Sequence, residues 1–338
     1  MPQRRPTIRD VARRAGVSPS TVSHALSGRR PTSLRAQERV LAVADAMGYR
    51  PSLIAQSLIT GRSLMVGLIV PDLHNPFYAD VATGVEEAAA RSGFSVIICN
   101  TDMRPEKEDR FLELLEQRAV DGIIFITDAR PRQPELQRLA DRGCPIVVLD
   151  EAVEGTFHVV SVDNERGGSL AAAHLLEFGH RRLAVIAGPG DLPTTRSRLR
   201  GFVDTLQAEG VELSRSDVVY ANDRIDGGRA AAEELLHKKA PPTALFATND
   251  LMALGALEAA SRLGLDVPRD LSLVGFDDIP YVSLVQPPLT TVAQPALGLG
   301  QTATEVLLEV MEDGPEHLRR VELPVELRVR GSTARVRR

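Results

Sequence analysis

Polar residues stand directly behind several short apolar runs of this 338-residue chain: Asp72 and Asn75 follow LMVGLIV, Asp150 closes PIVVLD, Asn249 and Asp250 follow TALFAT, and Asp277 follows LSLVGF. Carboxylates and amides gathered from such points could exchange hydrogen bonds with the hydroxyls of a polar ligand. Each taken singly has a plainer use. Asn and Asp are preferred helix caps, and Asn75 before Pro76, or Asn249 and Asp250 before Leu251, could do that alone. A second chemically competent set is Ser20, Ser23, His24 and Ser27, which share one side of a short helical pattern opposite Val22, Ala25 and Leu26. Small polar residues with one His suit base edges and phosphates. Catalysis finds little support. There is no Gly-x-Ser-x-Gly elbow, and Gly188-Pro189-Gly190 lacks the later Gly or Gly-Lys-Ser of a phosphate loop. The seven His show no metal-ligand spacing. No enzyme activity, metal or cofactor is expected.

The elements that must carry the first set are strands and helices in alternation. From Leu64 the runs LMVGLIV, FSVIIC, DGIIFI, PIVVLD, HVVSV, RLAVIAG, DVVY, TALFAT and LSLVGF are separated by helical stretches. Continuous apolar runs divided by helices imply parallel sheets covered on both faces. Nine such runs are many for one sheet, and VSVDNERGG reads as the start of a second unit, so two similar α/β lobes are expected. Cys99 and Cys144 lie beside apolar runs and read as buried thiols in a reducing compartment. With no run near the roughly 18 to 20 apolar residues of a spanning helix and no apolar signal core in MPQRRPTIRD, a cytoplasmic protein without membrane association is expected.

The second set belongs to a segment of opposite charge. Residues 1–62 hold eleven Arg, no Lys and three acidic residues, a net +8, and the remainder carries −13. A basic module on an acidic body fits a nucleic-acid reader with a control domain, and a solvated arginine-rich tail is the bland alternative. Local pattern separates the two. Ile8, Val11, Ala12 and Ala15 form one helical stripe that Gly16 ends, Ser18 can cap a second helix with Pro19 at its first position, and Val40, Leu41, Val43, Ala44 and Met47 supply a third. That is a helix-turn-helix.

TIRDVARRAGVSPSTVSHALSG closely resembles the headpiece of the lactose-repressor (LacI/GalR) family of bacterial transcription regulators, and NPFY, RSRLRGF, TNDLMALGA, VGFDD and PPLTTVAQP follow in that family's order. NPFY and CNTD resemble its ribose-repressor branch, and the body resembles periplasmic sugar-binding proteins. The resemblance implies a headpiece over 1–50, a hinge helix over 51–62, and a core over 63–338. It further implies discontinuous lobes, about 63–161 with 291–320 and about 162–290 with 321–332. Pro19, Ser20 and His24 would read bases, Ser18, Thr21 and Ser23 would hold phosphates, and Leu58 would wedge into the minor groove. Asn75, Phe77, Tyr78, Asp150, Arg198, Asn249, Asp277 and Gln294 match effector-contact positions. Asp223 and Glu151 depart from it, since relatives commonly have an aromatic near the first and sometimes a base at the second. The implied protein is a homodimeric repressor of a pseudo-palindromic double-stranded DNA operator, controlled by a sugar, polyol or nucleoside-like effector. A solute-binding protein, or a regulator without effector control, are the alternatives.

Overall fold

The computed structural model describes residues 6–27, 33–49, 62–115, 120–126, 133–149, 157–314 and 318–336. Contacts divide the chain into two compact units, Met1–Ser63 and Leu64–Arg338.

In the first unit, α1 (Ile8–Ala15) starts at a reciprocal cap in which Asp10 N and Thr7 Oγ1 lie 3.4 Å apart and Thr7 N donates to Asp10 Oδ2 at 3.0 Å. It ends at Gly16, whose φ of 65° is the left-handed conformation glycine adopts without penalty. Helices α2 (Pro19–Ser27) and α3 (Leu34–Ala46) pack with it around Val11, Ala12, Ala15, Val22, Ala25, Val40 and Ala44. Leu41, expected in that core, is 47% exposed. Val40, Val43, Ala44 and Met47 already occupy the inward stripe, and one residue past Val40 lies about 100° round the helix.

Among the described residues, the second unit contains two six-stranded sheets. Strands β1 (Met65–Val70), β2 (Ser95–Asn100), β3 (Gly122–Ile126), β4 (Ile146–Leu149), β5 (His158–Val162) and β11 (Arg320–Leu323) form the first, all parallel, in the order β11-β5-β4-β3-β1-β2. The second contains β6 (Leu183–Ala187), β7 (Val218–Tyr220), β8 (Ala244–Ala247), β9 (Ser272–Asp277), β10 (Thr290–Ala293) and β12 (Glu326–Arg328). Its order is β12-β10-β9-β8-β6-β7, parallel except for the edge strand β12. All nine runs read from the sequence became strands. The three missed, β10 to β12, are short, and β11 and β12 expose every second residue, which leaves no continuous apolar run.

The expected lobe limits shift by a few residues. Thr291–Ala293 belong to the second sheet and Val321–Leu323 to the first, because each crossover falls after its strand is paired, at 294–295 and 324–325. The first lobe is covered by α4 (Pro76–Arg91), α5 (Pro105–Leu114), α6 (Gln133–Asp141) and α11 (Ala296–Asp313); the second by α7 (Asn164–Glu177), α8 (Pro193–Ala208), α9 (Ile225–Leu236) and α10 (Asp250–Arg262). Helices α7 and α8 touch backbone to backbone. A Cβ on Gly168 would lie 1.9 Å from the Arg198 carbonyl oxygen, and one on Gly201 would lie 1.8 Å from that of Glu165. Reciprocal pairs of the same kind, Gly84 with Gly300 and Gly228 with Gly255, join α4 to α11 and α9 to α10.

A C-terminal strap closes the second lobe through buried polar groups. His180 Nε2 lies 3.0 Å from both Ser272 Oγ and the Ala334 carbonyl oxygen, and His174 Nε2 lies 2.9 Å from Thr333 Oγ1. Burial lowers the pKa of both imidazoles, and each therefore favours its neutral form in the folded state. A folded pKa below the unfolded value of about 6.5 gives stability that is present above that value and lost as pH falls through the folded pKa. Asp223 and Asp250, raised by burial, act with the opposite sign, so the test is a comparison with a variant. The stability advantage of the native chain over His180→Asn should shrink between about pH 7 and pH 5 in urea denaturation. An advantage constant over that range would show that His180 does not titrate as described.

Candidate functional site

At the start of α2, Ser18 Oγ accepts the Thr21 N–H at 3.1 Å and lies 2.7 Å from Ser20 Oγ and 2.8 Å from Thr21 Oγ1. Ser18 thus caps the helix, and Pro19 occupies its first turn. Ser18, Pro19 and Ser20 are exposed, and Thr21, Ser23 and His24 are half-buried on the side away from Val22 and Ala25. The six headpiece residues expected to meet DNA therefore lie along one short helix. Leu58, the expected wedge, lies outside the described residues.

Within the body, a cleft with about 780 Å³ of empty space, open solvent included, lies between the two lobes at the carboxyl ends of their strands. That is where open α/β sheets bind ligands. Asp72, Asn75, Phe77, Tyr78, Arg198, Asp223, Asn249 and Asp277 all line it. Gln294 lies in an adjoining hollow that shares Phe77 and Asp277 with the cleft, and it donates Nε2–H to Asp277 Oδ1 at 2.7 Å. Asp150 and Glu151 lie outside the described residues. Asp250 is fully buried and does not line the cleft.

Arg198 projects from α8 with only 8% of its surface exposed. It donates Nε–H to Asn164 Oδ1 at 2.7 Å and Nη1–H to the Thr248 carbonyl at 2.7 Å, lies 3.5 Å from Asp277 Oδ1, and stacks 3.8 Å above the Phe276 ring. Those contacts fix a flat cation at the floor of the cleft. Asp277 ends β9 with a φ of 113°, and Asp278 follows at 61°, conformations that cost a non-glycine residue about 1–3 kcal/mol each. The bend is held from beneath and from the side. The Ile279 N–H donates to Asp250 Oδ2 at 2.9 Å, and Arg330 Nη2–H donates to Asp278 Oδ1 at 2.6 Å. Burial, then the charge of Asp277, push the Asp250 carboxyl well above its ordinary range, while the 2.6 Å contact from Thr291 Oγ1 opposes the shift.

Capping and lining are the same act for two residues. Asn75 Oδ1 accepts the Phe77 N–H at 3.1 Å and Asn249 Oδ1 accepts the Met252 N–H at 2.8 Å, and both side chains face the cleft. Asn249 Nδ2–H turns to Asp223 Oδ1 at 2.9 Å. Burial pushes the Asp223 carboxyl up to about 6, with the Arg198 charge pulling it down.

Sequence reasoning missed Arg224. This second-lobe residue crosses the cleft to the first lobe, 2.8 Å from Asp72 Oδ2 and 3.2 Å from Asp102 Oδ1. Against a push upward from burial, the Arg224 hydrogen bond and the charges of Lys107 and Arg104 hold the Asp102 carboxyl below its usual range. No local spacing announces such a contact between residues 122 positions apart. Thr195, also in the lining, carries no motif of its own, and Thr248, likewise in the lining, opens the TNDLMALGA motif without having been singled out.

A helix-turn-helix joined to a two-lobed α/β body with a polar cleft defines a DNA-binding regulator with a ligand-binding control domain. Residues 7–52 match the family described as bacterial regulatory proteins, lacI family, and residues 172–333 match the periplasmic binding protein-like domain. The chain is 38% identical over 327 residues to the ribose operon repressor of Halalkalibacterium halodurans, covering 97% of each chain. It resembles the structure of the lac repressor dimer bound to operator and the anti-inducer ONPF, at TM-score 0.88 and 28% identity, covering 98% of this chain and 100% of that one. It also resembles the transcriptional regulator CelR in complex with cellobiose, at TM-score 0.75 and 32% identity, covering 97% of this chain and 100% of that one. The protein belongs to the lacI family of bacterial transcriptional regulators. That family comprises regulators rather than enzymes, and among the described residues no helix is long and apolar enough to cross a membrane.

Proposed function

We propose that this protein is a cytoplasmic, homodimeric repressor whose operator affinity is set by a small hydroxyl-rich effector held between the lobes by Arg198, Asp223, Asn249 and Asp277. The observation that carries the reading is the convergence of eight residues, singled out from sequence, on one interlobe cleft in a chain of this regulator family. The lac repressor structure, described as a dimer on operator, supports the dimer, and the cellobiose complex supports a sugar-like ligand. In this reading Arg198 and Asp277 orient hydroxyls, Asn75, Phe77, Tyr78 and Gln294 shape the wall, and Asp150 adds a further acceptor. On DNA, Ser18, Thr21 and Ser23 hold phosphates, Pro19, Ser20 and His24 face bases, and Leu58 wedges into the minor groove at the dyad.

Selection of operator sequences with the full chain, followed by binding with and without sugars, polyols and nucleosides, tests both halves. Operator affinity that no ligand alters would leave a regulator without effector control. His24→Ala should relax preference at one base pair of each half-site and cost about 1–3 kcal/mol on the best sequence. An unchanged selected consensus would remove His24 from base reading.

A further inference from the structure

We infer that the effector carries a protonated nitrogen among its hydroxyls, and that Asp223 is the carboxylate that receives it. The inference rests on the effector cleft proposed above and narrows the ligand it takes.

Among the described residues, the carboxylates of Asp72, Asp102, Asp223 and Asp277 line or rim the cleft, against the guanidinium groups of Arg198 and Arg224. Three of the four have a cation of the protein's own. Asp72 lies 2.8 Å from Arg224, Asp277 lies 3.5 Å from Arg198, and Asp102, besides Arg224, lies 3.3 Å from Arg104 and 3.6 Å from Lys107. The hydrogen-bond partner of the Asp223 carboxylate among the described residues is a neutral one, the Asn249 amide at 2.9 Å. Arg224 follows Asp223 directly but is spent on the opposite lobe, and Arg198 is anchored to Asn164, Thr248 and Asp277.

The local backbone is shaped to seat this carboxylate. Asp223 has a φ of 60°, the left-handed region that a non-glycine residue occupies at a cost. Facing it is Gly188, where a Cβ would lie 2.3 Å from Asp223 Oδ1 and 2.9 Å from Thr195 Oγ1. A larger residue at 188 would push the carboxylate from its place. A half-buried carboxylate whose hydrogen-bond partner is neutral, and which feels the Arg198 charge without an ion-pair contact, is incompletely compensated, and a bound ammonium would complete the pair. A ligand offering hydroxyls alone would leave Asp223 with a neutral hydrogen-bond partner, the Asn249 amide. Among the described residues, the charged groups that line the cleft with Asp223 are Arg198 from α8, Asp277 from β9, Asp72 from the first lobe and Arg224 beside it. Because burial pushes Asp223 up to about 6, the carboxylate is largely charged at neutral pH and largely protonated near pH 5.

The test uses matched neutral and cationic probes in calorimetry on the full chain: ribose with iminoribitol, glucose with deoxynojirimycin, and glucitol with glucamine. At least one cationic member should bind about tenfold or more tighter than its neutral twin near pH 7, through a charge-assisted hydrogen bond. That advantage should fall below about threefold near pH 5 and in Asp223→Asn. The inference is overturned if no cationic member outperforms its twin, whether or not the neutral one binds, or if the advantage persists in Asp223→Asn. Neutral probes that bind, and weaken in Asp277→Asn, would retain the cleft while excluding the amine. Binding by either class that ignores Asp277→Asn would instead remove the cleft itself.

Discussion

Arg198→Ala should lower effector affinity by about tenfold or more, since the truncated side chain takes charge-assisted hydrogen bonds from both ligand and protein. It should also cost the body about 3–5 kcal/mol of stability, the usual result of removing one partner from a buried ion pair. The second effect follows from the contacts of the guanidinium. Without it, Asn164 Oδ1 and the Thr248 carbonyl each lose a donor, Asp277 loses its cation, and Phe276 loses the flat group above its ring. Asp277→Asn separates binding from folding, because it keeps the volume at the end of β9 while removing the charge. Affinity should again fall about tenfold, with a smaller loss of stability and with ligand-free operator binding intact. Calorimetry and urea denaturation on both variants check the pair. Unchanged effector affinity in Asp277→Asn would place the ligand elsewhere.

Gly201→Val should destabilise the body by about 3 kcal/mol or more, among the larger effects of a single added side chain. The new Cβ would meet the Glu165 carbonyl carbon and oxygen, which are backbone atoms and cannot rotate away as a side-chain tip would. Helices α7 and α8 would have to separate. Arg198 lies one turn before Gly201, and Asn164, which receives its Nε–H, opens α7, so effector affinity should fall together with stability. A stability change within about 0.5 kcal/mol, the range of ordinary surface substitutions, would show that the two helices are not packed this closely in solution.

How far the sequence reveals this site depends on whether a residue's role is set by its own segment. Asn75 and Asn249 were legible because each follows an apolar run and precedes a helix, the setting that fixes both a cap and a strand end. Ser18 was legible as a cap because it follows the helix-ending Gly16 and precedes Pro19. Asp277 was visible as a strand end, but its left-handed backbone was not, since Asp250 and Arg330, from distant parts of the chain, hold that bend. Asp250 looked equivalent to its neighbour Asn249. The first turn of α10 points one side chain to the cleft and the next beneath β9, where Gly275 leaves it room. Arg224 was invisible because its meaning depends on Asp72 and Asp102 in the other lobe. The strands β11 and β12 escaped because they are half exposed and carry alternating rather than continuous apolar residues.

The late return of the chain to both lobes determines the order in which they can be completed during synthesis. The first lobe lacks α11, which covers β3, β4, β5 and α4, and its edge strand β11, until residues 296–323 have left the ribosome. The second lacks β12 and the strap that engages His174 and His180 until slightly later. Neither half can be finished as an independent N-terminal domain in the usual co-translational sequence. Until then, the nascent chain holds apolar strand faces without their helix, an opportunity for chaperone capture or aggregation that ends with the last few dozen residues. A premature stop at Pro295 would therefore leave two incomplete lobes rather than one intact lobe and one fragment.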